Sequence, residues 1–179
     1  MVRHLFLFCL SIWFYPDLLI ACSCSGEGTT RTAYENSNNV IYGKVIDTSL
    51  VSLSQTMDSE KIVKYLSENY NAEINIDVLF APLIIKTELL VLKNYKGLTT
   101  QDTITVYTPR QGSSCGYQRF TEGSSHVIFD SNANFIYQFV GVNDDFRITH
   151  TLWTNNCTAT SIATEGLLKE LDIISQQDE

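Results

Sequence analysis

The tripeptide Cys22-Ser23-Cys24 constrains this chain more than any other stretch, because it stands where an export signal ends. A basic residue, Arg3, precedes an apolar run from Leu5 to Tyr15. Such a run of about 11 residues is too short to span a bilayer, which takes about 20, but it suits the core of a signal peptide. We therefore expect residues 1–21 to be a signal peptide and residues 22–179 to form the exported protein.

Two signal peptidases are compatible with this end of the signal. Small Ala21 suits ordinary cleavage before Cys22. The tetrapeptide Leu19-Ile20-Ala21-Cys22 also matches a lipobox, in which Cys22 would carry a lipid. We favour plain cleavage and a secreted or extracellular protein, and we retain an outer-surface lipoprotein anchored through Cys22 as the alternative.

Cysteine arithmetic supports plain cleavage. Once Cys9 is removed with the signal, four cysteines remain: Cys22, Cys24, Cys115 and Cys157. An even number in an oxidising compartment favours two disulfides, and lipidation of one thiol would leave another without a partner. Four cysteines allow three pairings, of which a bridge between Cys22 and Cys24 is the least plausible, since so small a loop strains disulfide geometry.

The charge and length of the mature chain exclude some classes of protein. A formal net charge of −8 at pH 7 argues against nucleic acid as a partner, because proteins that bind nucleic acid present basic surfaces. No second long apolar run follows residue 21, so no transmembrane span is expected in the mature chain. The roughly 158 remaining residues are enough for one domain with its own core.

Short strands separated by turn residues dominate the mature sequence. Val40–Asp47 is rich in β-branched residues and Asp102–Thr108 alternates apolar with polar residues, so both are predicted strands. Further strands are predicted over Ile84–Leu92 (with a turn at Lys93–Gly97), His126–Phe129, Phe135–Val142 and Phe146–Trp153. This series predicts a mainly β fold, and we expect a closed barrel of five or six strands with flanking helices, in the α+β class.

Helices are predicted on either side of these strands and within an insertion. Thr29–Asn38 reads as a short helix, and Ser59–Tyr70 begins with a capping serine inside an insertion of about residues 50–76. The tail from Thr164 to Ile174, extended to about residue 176, carries its leucines on one face. We expect this C-terminal helix to pack on the barrel.

Five motifs occur in the order seen in a known family. They are Cys22-Ser23-Cys24, Val40–Ile46, Tyr95-Lys96-Gly97, Val106–Pro109 and Cys115-Gly116-Tyr117. In this order they resemble the inhibitory N-terminal domain of the tissue inhibitors of metalloproteinases, over about residues 22–160. The resemblance implies an OB-fold-like closed barrel related to the netrin-like module. Residues 1–179 lack cysteines for the family's third bridge in that domain and contain no counterpart of its C-terminal disulfide-rich subdomain.

The resemblance also implies a mechanism and a set of site residues. It pairs Cys22 with Cys115 and Cys24 with Cys157. The α-amine and carbonyl oxygen of Cys22 would chelate the catalytic zinc of a metalloprotease and displace its water. Ser23 would enter the neighbouring specificity pocket. Ser113 and Ser114, held beside Cys22 by the Cys115 bridge, would form a contact ridge.

This mechanism makes the expected protein an inhibitor and not an enzyme. It has no catalytic residue, no cofactor and no metal of its own, and we expect a monomer whose partner is a zinc metalloprotease. The alternative is a cell-surface OB-fold binding or structural module without inhibitory activity. In that case, five tyrosines would offer a stacking platform for a glycan or a protein, although such aromatic residues are more often core and rim residues of a sheet: Tyr42, Tyr95, Tyr107, Tyr117 and Tyr137.

Two histidines and one sequon complete the candidate residues. His126 and His150 lie in strand patterns, and we expect each ring to be satisfied by hydrogen bonds without acting as a metal ligand or base. Asn156-Cys157-Thr158 matches a glycosylation sequon, but the cysteine in its middle makes it a weak one.

Overall fold

The fold is known here from a computed structural model, which describes residues 28–68, 76–97, 100–110, 115–130, 137 and 147–178. These residues include six strands: β1 (Val40–Val51), β2 (Ile84–Lys96), β3 (Thr103–Pro109), β4 (Ser125–Phe129), β5 (Thr151–Trp153) and β6 (Ser161–Ile162). All six form a single sheet in the order β5-β3-β2-β1-β4-β6. The pairing of β3 with β5 is parallel and the other pairings are antiparallel.

Along the chain, one helix precedes β1 and one follows β6, and a 3-10 turn and two further helices lie between β1 and β2. They are α1 (Thr30–Asn36), a 3-10 turn (Leu53–Thr56), α2 (Ser59–Glu68), α3 (Ile76–Phe80) and α4 (Glu165–Gln177). Thr29 and Thr164 are the N-caps of α1 and α4, and the side chain of each accepts a backbone N–H of the first turn. The prediction of a mainly β, α+β fold is therefore confirmed. Helix α3 was not predicted.

The central pair, β1 and β2, runs antiparallel from the Val40–Lys96 pair to the Val51–Ile84 pair. Its register shifts at three places, and such bulges increase the local twist of a sheet. Gly43 permits the close approach of the two strands, because a Cβ there would lie 3.0 Å from the carbonyl oxygen of Leu90.

Three predicted strand boundaries were wrong. Strand β1 continues past its predicted end at Asp47 to Val51. Strand β2 does not turn at residue 93 but continues to Lys96, and the left-handed residue that ends it is Gly97, with φ of 94°. Of the predicted strand Phe146–Trp153, residues 147–153 are described, and only Thr151–Trp153 form a strand, because His150 has φ of 63° and breaks the extended chain. The predicted strand Phe135–Val142 lies outside the described residues except for Tyr137.

The sheet curls so that the ends of β4 and β5 meet, but no backbone ladder between its described strands closes it. Side chains instead join the ends of β4 and β5. The backbone N–H of Trp153 donates to the Asp130 carboxylate at 3.0 Å, and the Thr154 hydroxyl donates to the Phe129 carbonyl at 3.4 Å. The sheet found is thus an open six-stranded one whose fourth and fifth strands approach each other at one end.

Three clusters of buried side chains form the core. The first lies under the insertion and includes Leu53, Leu79, Ile84, Tyr107 and Trp153. The second lies inside the curled sheet and includes Ile41, Val45, Leu89, Val106 and Ile128. The third lies under α1 and α4 and includes Tyr34, Val40, Tyr95, Phe129 and Leu171. Burial of this apolar surface is the main favourable term in folding.

Helix α4 offers a direct test of the third cluster. Leu171 is 0 % exposed, whereas Ile173, two residues further on the same helix, is 58 % exposed. We expect Leu171→Ala to lower the free energy of unfolding by about 2–5 kcal/mol, because it removes buried methyl groups and leaves a cavity. Ile173→Ala is the matched control and should change it by less than about 0.5 kcal/mol. Urea unfolding followed by tryptophan fluorescence measures both, and equal losses would show that α4 is not anchored through Leu171.

Candidate functional site

Most of the predicted inhibitory residues lie outside the described residues. These are Cys22, Ser23, Cys24, Ser113 and Ser114. The predicted disulfide partners of Cys22 and Cys24, which are Cys115 and Cys157, are described, and both are disulfide-bonded. The pairing Cys22–Cys115 and Cys24–Cys157 stays a prediction, and the described part of the site is therefore built from the two later cysteines.

The segments that carry Cys115 and Cys157 are hydrogen-bonded to each other through Asn156. The backbone N–H of Asn156 donates to the carbonyl of Cys115 at 2.6 Å. Its side-chain amide Nδ2 donates to the carbonyl of Gly116 at 2.7 Å. We call this pair of segments, residues 115–117 and 155–158, the cysteine corner. One asparagine thus brings together two cysteines that are far apart in the sequence.

Local turns fix the backbone of each segment. The Asn155 carboxamide oxygen accepts from the backbone N–H groups of Cys157 at 2.7 Å and Thr158 at 3.1 Å, an arrangement in which an asparagine side chain imitates a backbone turn. Cys115 itself has φ of 61°, a left-handed conformation that is uncommon for a residue other than glycine. Both cysteines are therefore held in turns and not in regular strands.

The cysteine corner lies at the carboxyl ends of the parallel strands β3 and β5. The backbone N–H of Tyr117 donates to the Thr108 hydroxyl at 2.8 Å, and that of Thr154 donates to the Tyr107 carbonyl at 3.0 Å. The hydroxyl of Thr160 accepts the N–H of Phe129 at 3.0 Å and adds a tie to β4. The ends of three strands thus converge on the corner and support it.

His126 lies next to the same segment, buried in β4 with 0 % exposure. Its Nδ1 is 3.0 Å from the Tyr117 hydroxyl and its Nε2 is 2.7 Å from the Ser124 hydroxyl. Burial lowers the pKa of His126, although the backbone of Ser161 favours the protonated ring. The prediction of a strand histidine with a satisfied ring is confirmed for His126 and is wrong for His150, which is exposed in a turn.

The tyrosines do not form a stacking platform. Tyr95, Tyr107, Tyr117 and Tyr137 are all buried, and Tyr42 is half-buried. Tyr107 packs on the Trp153 ring with centroids 5.3 Å apart, and Tyr137 does so at 5.7 Å. A buried ring cannot receive a base or a sugar, so the hypothesis that these five side chains bind a ligand is wrong.

An open surface cleft of about 690 Å³ lies between β2 and the two terminal helices. Its lining includes Lys93 and Lys96, whose ammonium groups already have acceptors. Lys93 donates to the Asp172 carboxylate at 2.7 Å, and this hydrogen bond lowers the pKa of Asp172. Lys96 donates to the carbonyls of Tyr34 and Glu35 at 2.8 and 3.0 Å. The cleft therefore lies where the helices join the sheet, and neither of the two lysines described in its lining is an unpaired cation.

Two features are absent from the described residues. No group of three or more histidine, cysteine or acidic side chains in this part of the chain is placed to hold a metal ion. No helix among the same residues is long and apolar enough to cross a membrane. Comparison of the chain with protein-family models and with curated protein sequences gave no match.

Sequence reasoning missed Asn156 as the residue that joins the two cysteine segments. A local signal was present, because Asn155-Asn156-Cys157-Thr158 is a cluster of turn-forming residues around a cysteine. The partner carbonyls, at Cys115 and Gly116, lie about 40 positions earlier. Nothing in the local pattern indicates them.

The cysteine corner can be tested by removing the Asn156 carboxamide. We expect Asn156→Ala to lower the free energy of unfolding by about 1 kcal/mol or more, because the hydrogen bond to Gly116 is lost and its carbonyl is left in a partly buried place. Exposed Asn38 supplies the control, and Asn38→Ala should stay within about 0.5 kcal/mol of the wild type. Urea unfolding with disulfides intact is the measurement. If the free energy of unfolding of Asn156→Ala equalled that of the wild type, the Asn156 carboxamide would make no contribution to stability.

Proposed function

We propose that the protein is a secreted inhibitor of zinc metalloendopeptidases that acts through its mature N-terminus. The α-amine and carbonyl oxygen of Cys22 bind the catalytic zinc of the protease. Ser23 enters the adjacent pocket, and Ser113 and Ser114 contact the protease beside it. The protein is then a monomer that needs no cofactor or metal of its own, and it is not an enzyme.

The observation that supports this proposal most is the adjacency of Cys115 and Cys157. Two cysteines separated by one residue have Cα atoms about 7 Å apart in an extended chain. A disulfide joins Cα atoms about 5.5–6 Å apart. Because the backbone of Asn156 bonds to that of Cys115 at 2.6 Å, the two later cysteines lie within the reach of one short stretch such as Cys22-Ser23-Cys24. The proposed pairing is geometrically feasible at this corner.

The chemistry of a new N-terminus supports the same mechanism. An α-amine has a reference pKa of about 7.7–8.0, so near neutral pH it deprotonates readily beside a metal ion. A catalytic zinc site keeps one coordination position open for water or substrate, and an amine with its own carbonyl oxygen can fill it. Two bridges close to the amine remove most of the ordering cost before binding. An N-terminus held at a rigid corner therefore binds the zinc at a lower entropic cost than a freely moving N-terminus would.

We further infer that the sheet belongs to an OB-fold-like closed barrel. The OB fold is a five-stranded, partly open Greek-key barrel. Two side-chain hydrogen bonds that join the ends of β4 and β5, from Trp153 to Asp130 and from Thr154 to Phe129, support this inference. The edge strands β5 and β6 are also short, so the sheet exposes little unpaired edge.

The alternative is a cell-surface binding or structural module, lipid-anchored through Cys22. Its expected ligand surface was the set of five tyrosines, and the burial of four of them removes that surface. Secretion and inhibition therefore remain the proposal. Nucleic acid is not a proposed partner, because the chain has a net charge of −8.

The disulfide pairing is tested by peptide mapping of the exported protein without reduction. We expect one linked pair that contains Cys22 and Cys115 and a second that contains Cys24 and Cys157. The intact mass should show no lipid on Cys22, since a lipid would consume the thiol that the first bridge needs. A pair that contains Cys115 and Cys157 together, or a lipidated Cys22, would contradict the proposed mechanism.

Inhibition itself is tested by adding one alanine before Cys22. The addition should abolish inhibition of a panel of extracellular zinc endopeptidases, because it moves the amine away from the metal and turns the Cys22 nitrogen into an amide. Ser23→Gly is the milder variant and should weaken binding by loss of the pocket contact only. Circular dichroism controls for folding. Equal potency of the mature and extended forms would exclude chelation, and no inhibition by either form would exclude the proposed function for the proteases tested.

A further inference from the structure

One buried histidine fastens the segment that carries Cys115 to the sheet. We call residues 115–124 the Cys115 segment. Its Tyr117 hydroxyl is 3.0 Å from Nδ1 of His126, and its Ser124 hydroxyl is 2.7 Å from Nε2 of the same ring. The two ring nitrogens therefore hold the segment near its start and at its end. The contact with Tyr117 is buried, and the contact with Ser124 is partly buried.

The hydrogen-bond network determines which nitrogen of His126 carries the proton. Ser124 donates its only hydroxyl proton to the Thr121 carbonyl, so its oxygen must accept from Nε2–H of the ring. The opposite nitrogen, Nδ1, is then unprotonated and accepts from the Tyr117 O–H. This assignment satisfies both ring nitrogens in the neutral state.

Among the described residues, the surroundings of the ring contain no anionic group that would balance a positive charge. The Cys115 segment packs Tyr117 and Phe120 against it, with ring centroids 5.7 and 5.0 Å away. Strand β1 places Gly43 opposite His126, and β6 places Ile162 there. Among the described residues no carboxylate acts on His126, and its polar neighbours are the Tyr117 and Ser124 hydroxyls and the Ser161 backbone. The charged group that acts on Tyr117 is a cation, that of Arg119.

We propose that His126 is an acid-sensitive clasp, which holds the Cys115 segment on the sheet at neutral pH and loosens it when the ring takes up a proton. Protonation converts Nδ1 from an acceptor into a donor that faces the Tyr117 hydroxyl. That hydroxyl must then turn its own proton elsewhere in a buried site. The added charge also lies among aromatic rings without a counter-ion, and burial of an unpaired charge is costly.

The direction of the pH effect follows from burial. The folded protein lowers the pKa of His126 below its ordinary value of 6.5. The neutral ring therefore contributes its full stabilisation above about pH 6.5, and this stabilisation is lost as the pH falls from there toward the folded pKa. Each pH unit of acidification within that window lowers the equilibrium constant for closing the clasp by at most about tenfold, because one proton is taken up.

Loosening is expected to remain local. Cys115 is disulfide-bonded, so the start of the segment stays tethered, and its other end runs directly into β4. Between these ends, the bonds that must open are few. They include the backbone hydrogen bonds of Gly123 to Val45 and of Val45 to Ser124, each 2.9 Å long. Opening would disturb the corner to which the proposed bridge ties Cys22, and this consequence for inhibition rests on the proposed function.

Hydrogen exchange tests the clasp directly, without reference to inhibition. Exchange of the amides of Tyr117, Gly123 and Ser124 is measured at pH 7.5 and 5.0 and divided by the intrinsic rate at each pH. We expect their protection to fall several-fold at pH 5.0, within the limit of about tenfold per pH unit, while the core amides of α4 keep theirs. Equal protection of the Cys115 segment at the two pH values would overturn the proposal, and so would an equal loss in α4.

Two substitutions separate His126 from other titrating groups. His126→Gln replaces the ring with a neutral amide and should remove the pH dependence of segment protection. His150→Gln changes the exposed histidine and should retain the wild-type dependence, so a loss there would overturn the assignment. If His126→Gln does not fold, the wild-type comparison and the His150→Gln control still decide. Inhibition at the two pH values is measured separately, so that failure of the proposed function leaves the test of the clasp intact.

Discussion

The antiparallel pairing of β1 with β2 is the interaction on which the rest of the structure depends. It runs the full length of both strands, and each of the three core clusters contains at least one of their residues. Val40 and Tyr95 belong to the cluster under α1 and α4. Ile41 and Leu89 belong to the cluster inside the sheet, and Ile84 belongs to the cluster under the insertion. The β1–β2 ladder thus sets the relative position of the three core clusters. The bulges within the ladder supply the twist that lets the sheet curl.

The parts of the fold that could be predicted from sequence are those that local residue types determine. The β-branched run at Val40 and the capping threonines at 29 and 164 carry their own conformational preferences, and the elements they start are present. The end of β2 was misplaced because its last residues are held by distant contacts: Tyr95 accepts the Tyr34 hydroxyl at its carbonyl and packs under α4. Lys93–Gly97 has the composition of a turn, but tertiary packing keeps it extended until Gly97.

The candidate site also has features that the sequence predicts and features that only the fold brings about. Cysteine count and spacing identify Cys115 and Cys157 as bridge-forming residues, and the structure has both oxidised. What brings them together is a pair of hydrogen bonds from Asn156 to carbonyls of a segment about 40 residues earlier, and a carbonyl has no sequence signature. His126 was predicted to be a satisfied strand histidine. Its partner Ser124 lies only two residues earlier in the sequence, whereas Tyr117 becomes its neighbour through the fold of the loop between them.

Asn156 and His126 together explain how one short loop can be rigid at one pH and adjustable at another. Asn156 holds the Cys115 end with amide hydrogen bonds that do not titrate in the physiological range. His126 holds the remainder through an imidazole, the side chain whose charge changes between pH 5 and 8. The corner therefore has one permanent support and one conditional support. Because a tethered loop loses only local contacts when the conditional support fails, the sheet, whose core clusters extend well beyond this loop, can stay folded while the segment at the cysteines moves.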